Sequence, residues 1–373
     1  MRRLKIAMII PGGVDRSGVD RVIPSRLWLI ERLARGHDVH VFATHQEPLP
    51  ASWELLGAHI HNIGTARGAT RRLLEHFAAK HRQPNRPFDV VHAFFGWCGT
   101  SAALIGWRHR LPVVFHPSGG EFVALEDIGY GMRTTLRGRV SLRVAMAGAT
   151  HVTVASRWMQ DLAEARGAST ERIPIGVALD KWPPREPRAR DRSRALRLLH
   201  VGDIRPVKDQ ALLMTAAAHL RDAGLDFTLD IVGLDTMGGA IQQSPAAQRV
   251  ESATRWHGVL RRDALRERFE SADILLVSSR HEAGPLVVLE AAIAGVPTIG
   301  TAVGHVAEWA PDAAIAVPVG DALALARETT SLAADETRRL RIAREAQRRA
   351  VAIDADYTAA AFERVYDDLV ARR

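Results

Sequence analysis

The sequence of 373 residues is poor in cysteine and in aromatic residues, and it contains no long apolar run. Its one cysteine, Cys98, excludes an intramolecular disulfide and a zinc site built from several cysteines. The first apolar run ends at Pro11 and is too short for a signal core or a membrane span. At 47% hydrophobic and 25% charged residues, the composition is typical of a globular protein. We therefore expect a cytoplasmic protein that begins with a buried β-strand.

Lysine is rare and the charge is unevenly distributed. Only four of the 50 basic residues are lysines: Lys5, Lys80, Lys181 and Lys208. Residues 1–183 contain 24 Lys and Arg against 15 Asp and Glu, a net charge of +9, whereas the rest contains 26 against 27 and sums to −1. A basic first half favours an anionic partner there: lipid, phosphate or nucleic acid.

Strand-like and helix-like segments alternate in two successive stretches of the chain. The first contains LKIAMII, DVHVFAT, FDVVHAF, LPVVFH and HVTVAS as predicted strands, with helical spacing after Pro24. Residues 184–196, rich in Pro and Arg, predict a linker. The alternation restarts with LRLLHVG, followed by helices predicted around 209–223 and 264–269. We predict an α/β protein with two Rossmann-like, doubly wound parallel-sheet domains, 1–183 and 197–352, facing a central cleft.

Ligands in open α/β sheets bind beyond the carboxyl ends of the strands. The candidate binding loops therefore follow Ile10, His116, Gly202, Gly233, Gly258 and Ser279. In the last of these loops, Pro285 suits the first position of a helix. The free amides from Gly284 to Val287 would then form a site for anionic oxygens.

One carboxylate, Glu290, lies in a segment that is apolar on both sides, LVVLEAAIA. A helix that is apolar all round is normally buried, and a buried carboxylate needs a partner. No Arg or Lys lies within a helical turn, so the partner lies elsewhere in the fold or is a ligand. Carboxylates bind vicinal hydroxyls well, and a ribose offers such a pair.

Glu282 and Glu290, which have seven residues between them and are followed by AAIAGVPTIGTAVGHVAEW, resemble the nucleotide-sugar signature of the retaining family-4 glycosyltransferases of GT-B fold. LLHVGDIRPVK is similar to that family's phosphate-binding strand and loop, and WHGVL to the loop beside the nucleotide base. IPIGVALDKW resembles the segment before the interdomain linker. YTAAAFERVYDDLV resembles the closing helix, so we expect residues 353–373 to pack back on the first domain.

The resemblance implies a role for each matched position. Glu290 would bind the ribose hydroxyls, and Glu282 would hold the donor sugar together with the backbone of Ala283, Gly284, Pro285 and Leu286. Lys208 and Arg205 would stabilise the diphosphate leaving group. The other implied positions are Gly202, Gly233 and Val259 for the donor, Gly12, Gly13 and Gly18 for the acceptor or a phosphate, and His116 as a catalytic residue.

Several positions depart from the family's pattern. Asp203 stands where an arginine commonly follows the strand glycine, so Arg205 is its candidate substitute. Ala283 follows the first glutamate in place of an aromatic residue or glycine. The sequence PSGGE after His116 leaves two alignments open, in which either His116 or Ser118 faces the cleft. Enzymes of this fold generally need no divalent metal, and we expect neither a metal nor a cofactor.

Two basic stretches in the first half alternate arginine with apolar residues: 65–83, TARGATRRLLEHFAAKHRQ, and 132–148, MRTTLRGRVSLRVAMAG. Each predicts either an ordinary helix with a solvated face or a helix on an anionic membrane surface. The charge asymmetry favours the membrane alternative, which would suit a lipid-linked acceptor and a location at the inner face of the cytoplasmic membrane.

The function predicted from these features is retaining transfer of a sugar from a nucleoside diphosphate donor, with UDP expected as the nucleotide, to a sugar or lipid-linked acceptor in glycan, glycolipid or polysaccharide biosynthesis. One alternative is a phosphorylase or sugar-nucleotide epimerase on a similar scaffold. Another is a noncatalytic basic binding protein. Aromatic residues make up only 6% of the chain and no nucleic-acid module is recognisable, so we expect no nucleic-acid partner.

Overall fold

The computed structural model describes residues 2–82 and 87–372. The chain divides into two compact units: the first runs to Gly176 and resumes at Ala355, and the second spans Val177–Asp354. The division therefore falls before position 183, because residues 177–183 pack with the second unit. In the described part of the chain, no helix combines the length and the apolar character that a membrane span requires.

Strands and helices alternate along both units. The strands are β1 Lys5–Ile10, β2 Asp38–Ala43, β3 Ala51–Leu55, β4 Ala58–Asn62, β5 Val90–Phe94, β6 Val113–His116, β7 His151–Val154, β8 Glu171–Arg172, β9 Leu196–Val201, β10 Phe227–Val232, β11 Thr254–Trp256, β12 Ile274–Val277, β13 Thr298–Thr301 and β14 Ile315–Val317. The helices are α1 Pro24–Gly36, α2 Ala69–His81, α3 Gly96–His109, α4 Leu136–Gly148, α5 Arg157–Glu164, α6 Gln210–Asp222, α7 Pro245–Arg249, α8 Arg262–Ser271, α9 Leu286–Ile293, α10 Gly304–Trp309, α11 Ala322–Ala334, α12 Glu336–Ala352 and α13 Ala355–Ala371.

The first unit is built on an eight-stranded sheet in the order β3-β4-β2-β1-β5-β6-β7-β8. Its central strands are buried along their whole length, as apolar strands covered on both faces should be. The parallel prediction fails at one edge, where β3 and β4 pair antiparallel. They are joined by Leu56 and Gly57, which both have positive φ and form a tight hairpin. The dipeptide Leu-Gly lacks the usual Asn-Gly signal of such a turn, so this hairpin was missed.

The C-terminal helix α13 belongs to the first unit, where the resemblance placed residues 353–373. Phe362 is fully buried against the rings of His92 and Phe94. The Tyr366 hydroxyl lies 2.6 Å from His92 Nδ1, so both polar groups are satisfied inside the core. Burial of this apolar face fixes the end of the chain on the unit that contains its beginning.

The second unit has a six-stranded, all-parallel sheet in the order β11-β10-β9-β12-β13-β14. The strand order reverses between β9 and β12. The strands that follow β9 in the chain, β10 and β11, lie on one side of it, whereas β12, β13 and β14 lie on the other side. In doubly wound sheets, this reversal opens the crevice in which ligands bind. The helices predicted at 209–223 and 264–269 are present as α6 and α8, with bounds that differ by one or two residues.

The predicted linker, 184–196, contains no helix, and strand β9 begins only at its last residue. It is nevertheless packed on the second unit. The Arg185 amide donates to the Ile293 carbonyl at 2.9 Å, and Arg194 forms a two-pronged ion pair with buried Asp273 at 2.7 and 2.9 Å. These bonds attach the segment to one unit, so it belongs to the second unit up to the start of β9.

Candidate active site

An ion pair of the second unit lies at the reversal of its strand order. The loop after β9 carries Lys208, and the loop after β12 carries Glu282. The Lys208 Nζ lies 2.6 Å from Glu282 Oε1, and the Ser279 hydroxyl donates to the same oxygen at 2.6 Å. The ion pair therefore joins the two loops that flank the crevice expected for a doubly wound sheet.

Electrostatics keep this glutamate ionised. Burial alone would raise the pKa of Glu282, but the adjacent Lys208 charge and the hydrogen bonds from Lys208 and Ser279 hold it below its ordinary value. The Lys208 side chain keeps 23% of its surface exposed, so the ammonium remains accessible to a ligand. An accessible ammonium at the crevice is suited to binding phosphate oxygens.

Hydrogen bonds hold the Lys208 loop from both sides. The Gln210 amide donates to His200 Nε2 at 3.1 Å and to the Asp203 carbonyl at 3.0 Å. The Ser278 hydroxyl donates to the Lys208 carbonyl at 2.7 Å. Burial lowers the pKa of His200 to about 4, so this imidazole is neutral and can accept from Gln210. Sequence reasoning missed Gln210 and His200, although a polar residue inside the apolar strand LRLLHV was a usable signal.

Glu290 lies on α9, one of the apolar helices of the unit, and is 6% exposed. Within residues 2–82 and 87–372, no side chain or backbone group forms a hydrogen bond or ion pair with its carboxylate. Burial raises the pKa of Glu290 to about 7, and the more distant charge of Arg262 acts in the opposite direction. The sequence predicted a partner elsewhere in the fold or in a ligand, and the described fold provides only this long-range charge.

The loop that leads into α9 is tightly packed. α9 begins at Leu286, and Pro285 caps it, one position before the place that the sequence predicted. Gly304 approaches this loop so closely that a Cβ there would lie 2.7 Å from Pro285 Cδ and 2.9 Å from Glu282 Cβ. Ala283 is buried, and the amides of Gly284 and Leu286 stand at the start of a helix, as anion binding requires.

Gly202 and Gly233 bring two loops of the crevice together. A Cβ at Gly233 would lie 2.1 Å from the Gly202 carbonyl oxygen, so only glycine fits at this position. Asp203 accepts a hydrogen bond from the Leu234 amide at 3.1 Å and so fixes the neighbouring loop. Arg205 is exposed, and among the described residues only its backbone forms hydrogen bonds: its amide donates to Gln210 at 3.3 Å and its carbonyl accepts from the Lys208 amide at 2.9 Å. Of the two predicted cations, Lys208 is therefore the one that the structure brings to Glu282.

Two apolar side chains at the carboxyl ends of β10 and β11 are exposed. Leu234 is 53% exposed and Val259 is 70% exposed. The two loops are linked by a hydrogen bond from the Gly233 amide to the Gly258 carbonyl at 2.9 Å. The structure thus places Val259 at a loop of the predicted donor site and adds Leu234, which sequence reasoning did not name.

In the first unit, the glycine loop follows β1, where the strand order reverses between β1 and β5. The Gln46 side chain accepts from the amides of Gly13 at 2.6 Å and Val14 at 2.9 Å. Gly13 has a φ of +87° and lies against Ile23, which leaves no room for a side chain. Gly12 is similarly close to Gln46, and Gly18 also has positive φ. The loop is therefore a rigid backbone surface, and Gln46 is a positioning residue that the sequence did not reveal.

The structure corrects the prediction for His116. Its side chain is fully buried, its Nδ1 lies 2.8 Å from the Thr153 hydroxyl, and its ring packs on Phe94 and Phe362. Burial holds its pKa well below the ordinary value. The His116 ring is therefore enclosed in the core of the first unit and not exposed at the end of its strand. The alternative residue, Ser118, is only partly buried and accepts from the Arg26 guanidinium at 2.6 Å.

Comparison with known proteins gives the family. Residues 24–176 match the glycosyl transferase 4-like domain, and residues 186–349 match the glycosyl transferases group 1. A D-inositol 3-phosphate glycosyltransferase of Xylanimonas cellulosilytica is 28% identical over 313 residues, which cover 77% of this chain and 73% of that protein.

Two solved structures share the fold. Sucrose-phosphate synthase of Thermosynechococcus elongatus superimposes with a TM-score of 0.80 at 21% identity over the whole of both chains. HepE of Anabaena, crystallised with UDP-glucose, gives a TM-score of 0.73 at 15% identity and covers 98% of this chain and 100% of its own. With two parallel-sheet units, matches in both of them and these structural neighbours, the chain belongs to the group 1, family 4-like glycosyltransferases of GT-B fold.

Proposed function

We propose that the protein transfers a sugar, with retention of anomeric configuration, from a UDP-sugar to an acceptor hydroxyl. Two observations carry this proposal: the Lys208–Glu282 pair at the strand-order reversal, and the buried carboxylate of Glu290 on the next helix, which the described fold leaves without a hydrogen-bond partner. A diphosphate and a ribose would satisfy the ammonium and the carboxylate respectively. The relative HepE was crystallised with UDP-glucose, which supports a UDP-linked donor here.

In the proposed reaction, the bond between the anomeric carbon and the β-phosphate oxygen breaks, and its electron pair stays on the phosphate. Lys208 and the amides at the start of α9 stabilise this new charge. The acceptor oxygen attacks from the face that the phosphate leaves, and the acceptor proton passes to the departing phosphate. This front-face course retains configuration and needs neither a side-chain nucleophile nor a metal or cofactor. It would make the protein a metal-independent hexosyltransferase.

The donor nucleotide can be identified by thermal unfolding with UDP, GDP, ADP and their sugar conjugates. A ligand at a hundred times its dissociation constant adds about 2.7 kcal/mol to the free energy of unfolding. We expect a clear shift with the uridine series and expect Val259→Asp to weaken it, because an acid would replace an apolar contact to the base. Val351→Asp, a change of an exposed valine on α12, is the matched control. A cooperative transition that no nucleotide shifts would contradict the proposal.

Acceptor dependence separates this function from its alternatives. A sugar-nucleotide epimerase would change the donor without an acceptor, and a phosphorylase would require inorganic phosphate. A noncatalytic basic protein would show a salt-dependent shift with oligonucleotides and none with nucleotides. In the second unit, Lys208 is available to bind a diphosphate and Glu290 to bind a ribose, and this pair of groups favours sugar transfer over the noncatalytic alternative.

We further propose that the protein works at the inner face of the cytoplasmic membrane, through helix α4. Leu136 is 73% exposed and Val140 is 48% exposed on this helix. Trp97 of the neighbouring helix α3 is half exposed, and the Arg137 guanidinium lies 5.2 Å from its ring centroid. Exposed tryptophan, aliphatic side chains and arginine together are typical of a helix that lies on an anionic bilayer.

A groove beside α4 adds to this cationic surface. It has a volume of about 930 Å³, and its lining includes Arg133, Arg139, Arg143 and Arg166. Arginines at a membrane surface each contribute about 1 kcal/mol of attraction to anionic lipid. A lipid-linked acceptor would be presented at such a surface, in keeping with a role in glycolipid or polysaccharide biosynthesis.

The other basic stretch, 65–83, is better explained as an ordinary surface helix. Its apolar residues Leu73 and Phe77 are buried in the unit. Arg72 donates to the carbonyls of Ile63 and Ala66 at 3.2 and 2.8 Å, and Arg71 pairs with Glu75. Its last residue, Gln83, lies outside the described residues. We therefore assign the membrane contact to the stretch 132–148 alone.

Vesicle sedimentation tests the membrane assignment. We expect the protein to sediment with vesicles that contain anionic phospholipid and to stay in solution with purely zwitterionic vesicles. The double variant Leu136→Ser/Val140→Ser should reduce the bound fraction several-fold, because it removes the apolar side chains that would enter the interface. Leu323→Ser/Val351→Ser, at exposed positions of the second unit, is the control. Equal sedimentation of the two double variants would exclude α4 as the contact.

A further inference from the structure

Three side chains with metal-ligating atoms meet at an edge of the first unit, away from the carboxyl ends of the strands. Asp38 and His40 lie two residues apart on β2 and therefore on the same face of the sheet. His59 of β4 pairs in register with His40. Their nearest nitrogen and oxygen atoms all lie within 4.8 Å of one another.

From this arrangement we propose that Asp38, His40 and His59 bind a divalent transition-metal ion of the zinc class. The Asp38 Oδ1 lies 3.3 Å from His40 Nε2 and 3.8 Å from His59 Nε2. Bonds of about 2.0–2.1 Å in a tetrahedral zinc site separate neighbouring ligand atoms by roughly 3.3–3.5 Å. The His40 distance falls within this range, and the His59 distance is a few tenths of an ångström longer.

His40 has a hydrogen-bonded outer partner, as metal-binding imidazoles usually do, and His59 has a carboxylate near its second nitrogen. His40 Nδ1 lies 2.9 Å from His61 Nε2, and His61 Nδ1 lies 3.2 Å from the Ser52 hydroxyl. His59 Nδ1 lies 3.6 Å from Glu54 Oε1 on β3. In both rings Nε2 faces the Asp38 carboxylate, and the Nδ1 of His40 is hydrogen-bonded to His61. A bound ion would link β2 to β4, and through Glu54 to β3, at the antiparallel edge of the sheet.

The chemistry of the ligands selects the ion. Two imidazoles and one carboxylate suit Zn²⁺, Co²⁺ or Ni²⁺, whereas Mg²⁺ and Ca²⁺ prefer oxygen ligands. The side chain of His59 is 47% exposed, so solvent can supply the fourth ligand. Sequence reasoning considered a zinc site built from cysteines and missed this one, because its ligands become neighbours only through the pairing of β2 with β4.

Titration of the metal-free full chain with Zn²⁺ and Co²⁺ tests the site. We expect one ion per chain, a visible absorption of Co²⁺ typical of tetrahedral coordination, and a higher melting temperature. His59→Ala should weaken binding at least tenfold and remove the absorption, and its exposed position should leave the fold intact. His45→Ala, at an exposed histidine after β2, should bind as the natural chain does.

A second variant tests the electrostatics of the same site. The Lys80 charge acts on His40 and His61 and should oppose the binding of a cation. Lys80→Gln should therefore tighten Zn²⁺ binding, the direction opposite to that of His59→Ala. If the natural chain does not bind Zn²⁺, or binds it no more tightly than His59→Ala does, the three side chains do not form a metal site. Loss of donor turnover has no part in this test, so failure of the proposed transferase function would not affect its outcome.

Discussion

Replacing Lys208 by methionine should lower the rate of donor turnover by about 10²- to 10³-fold, the usual effect of removing one group that stabilises developing charge. Methionine keeps much of the length of the side chain but cannot neutralise a departing diphosphate. The Michaelis constant for the donor should change less than the turnover number, because the interaction strengthens as the glycosidic bond breaks. Release of UDP under saturating donor is the measurement.

Two further variants separate this effect from a loss of stability. Lys208→Met leaves Glu282, a mostly enclosed carboxylate, without its ion-pair partner, so we expect the variant to be less stable than the natural chain. The double variant Lys208→Met/Glu282→Gln removes both charges and should restore most of the melting temperature while turnover stays low. Arg205→Ala should change turnover less than threefold, since the Arg205 side chain is exposed and contacts no partner among the described residues. Comparable losses in the Lys208 and Arg205 variants would assign the diphosphate to both cations.

The sequence predicted the second unit more fully than the first. Its strands, the position of Lys208 and the isolation of Glu290 follow from apolar runs and from a signature with fixed spacing. The 2.6 Å contact between Lys208 and Glu282 joins residues 74 positions apart, and the order of the strands creates it. A pattern along the chain cannot give that order. For the same reason the sequence did not reveal Gln210, because its hydrogen bonds to His200 and Asp203 form only once the loop has folded.

In the first unit, the sequence left open whether His116 or Ser118 faces the cleft. The resemblance placed His116 at the end of a strand, but the end of a strand does not determine whether a side chain turns outward or into the core. Helix α13 packs Phe362 against the His116 ring, and this contact comes from the opposite end of the chain. Packing against residues distant in sequence thus determines the exposure of His116, and the residues next to it in the chain do not predict this exposure.

Replacing Glu290 by glutamine should have opposite effects on nucleotide binding and on stability. Burial raises the pKa of this carboxyl to about 7 from an ordinary value of 4.5. Between these two values the folded chain keeps a proton that the unfolded chain releases, so stability falls as the pH rises toward 7. The loss above pH 7 is about 3 kcal/mol. Glu290→Gln removes this penalty, and the ligand-free variant should melt at a higher temperature than the natural chain at pH 8.

The advantage of the variant should disappear near pH 4, where the carboxyl is protonated in both the folded and the unfolded state. UDP binding should favour the natural chain over the variant, and high pH over low pH, because ribose hydroxyls donate best to an ionised carboxylate. UDP should bind the natural chain about tenfold more tightly at pH 8 than at pH 6, in excess of any change that the glutamine variant shows. Calorimetric titration at both pH values gives this difference.

If the variant is more stable at pH 8 yet binds UDP as well as the natural chain does, Glu290 does not bind the ribose. A variant that gains no stability and loses binding would mean that the carboxylate is satisfied within the fold even without ligand.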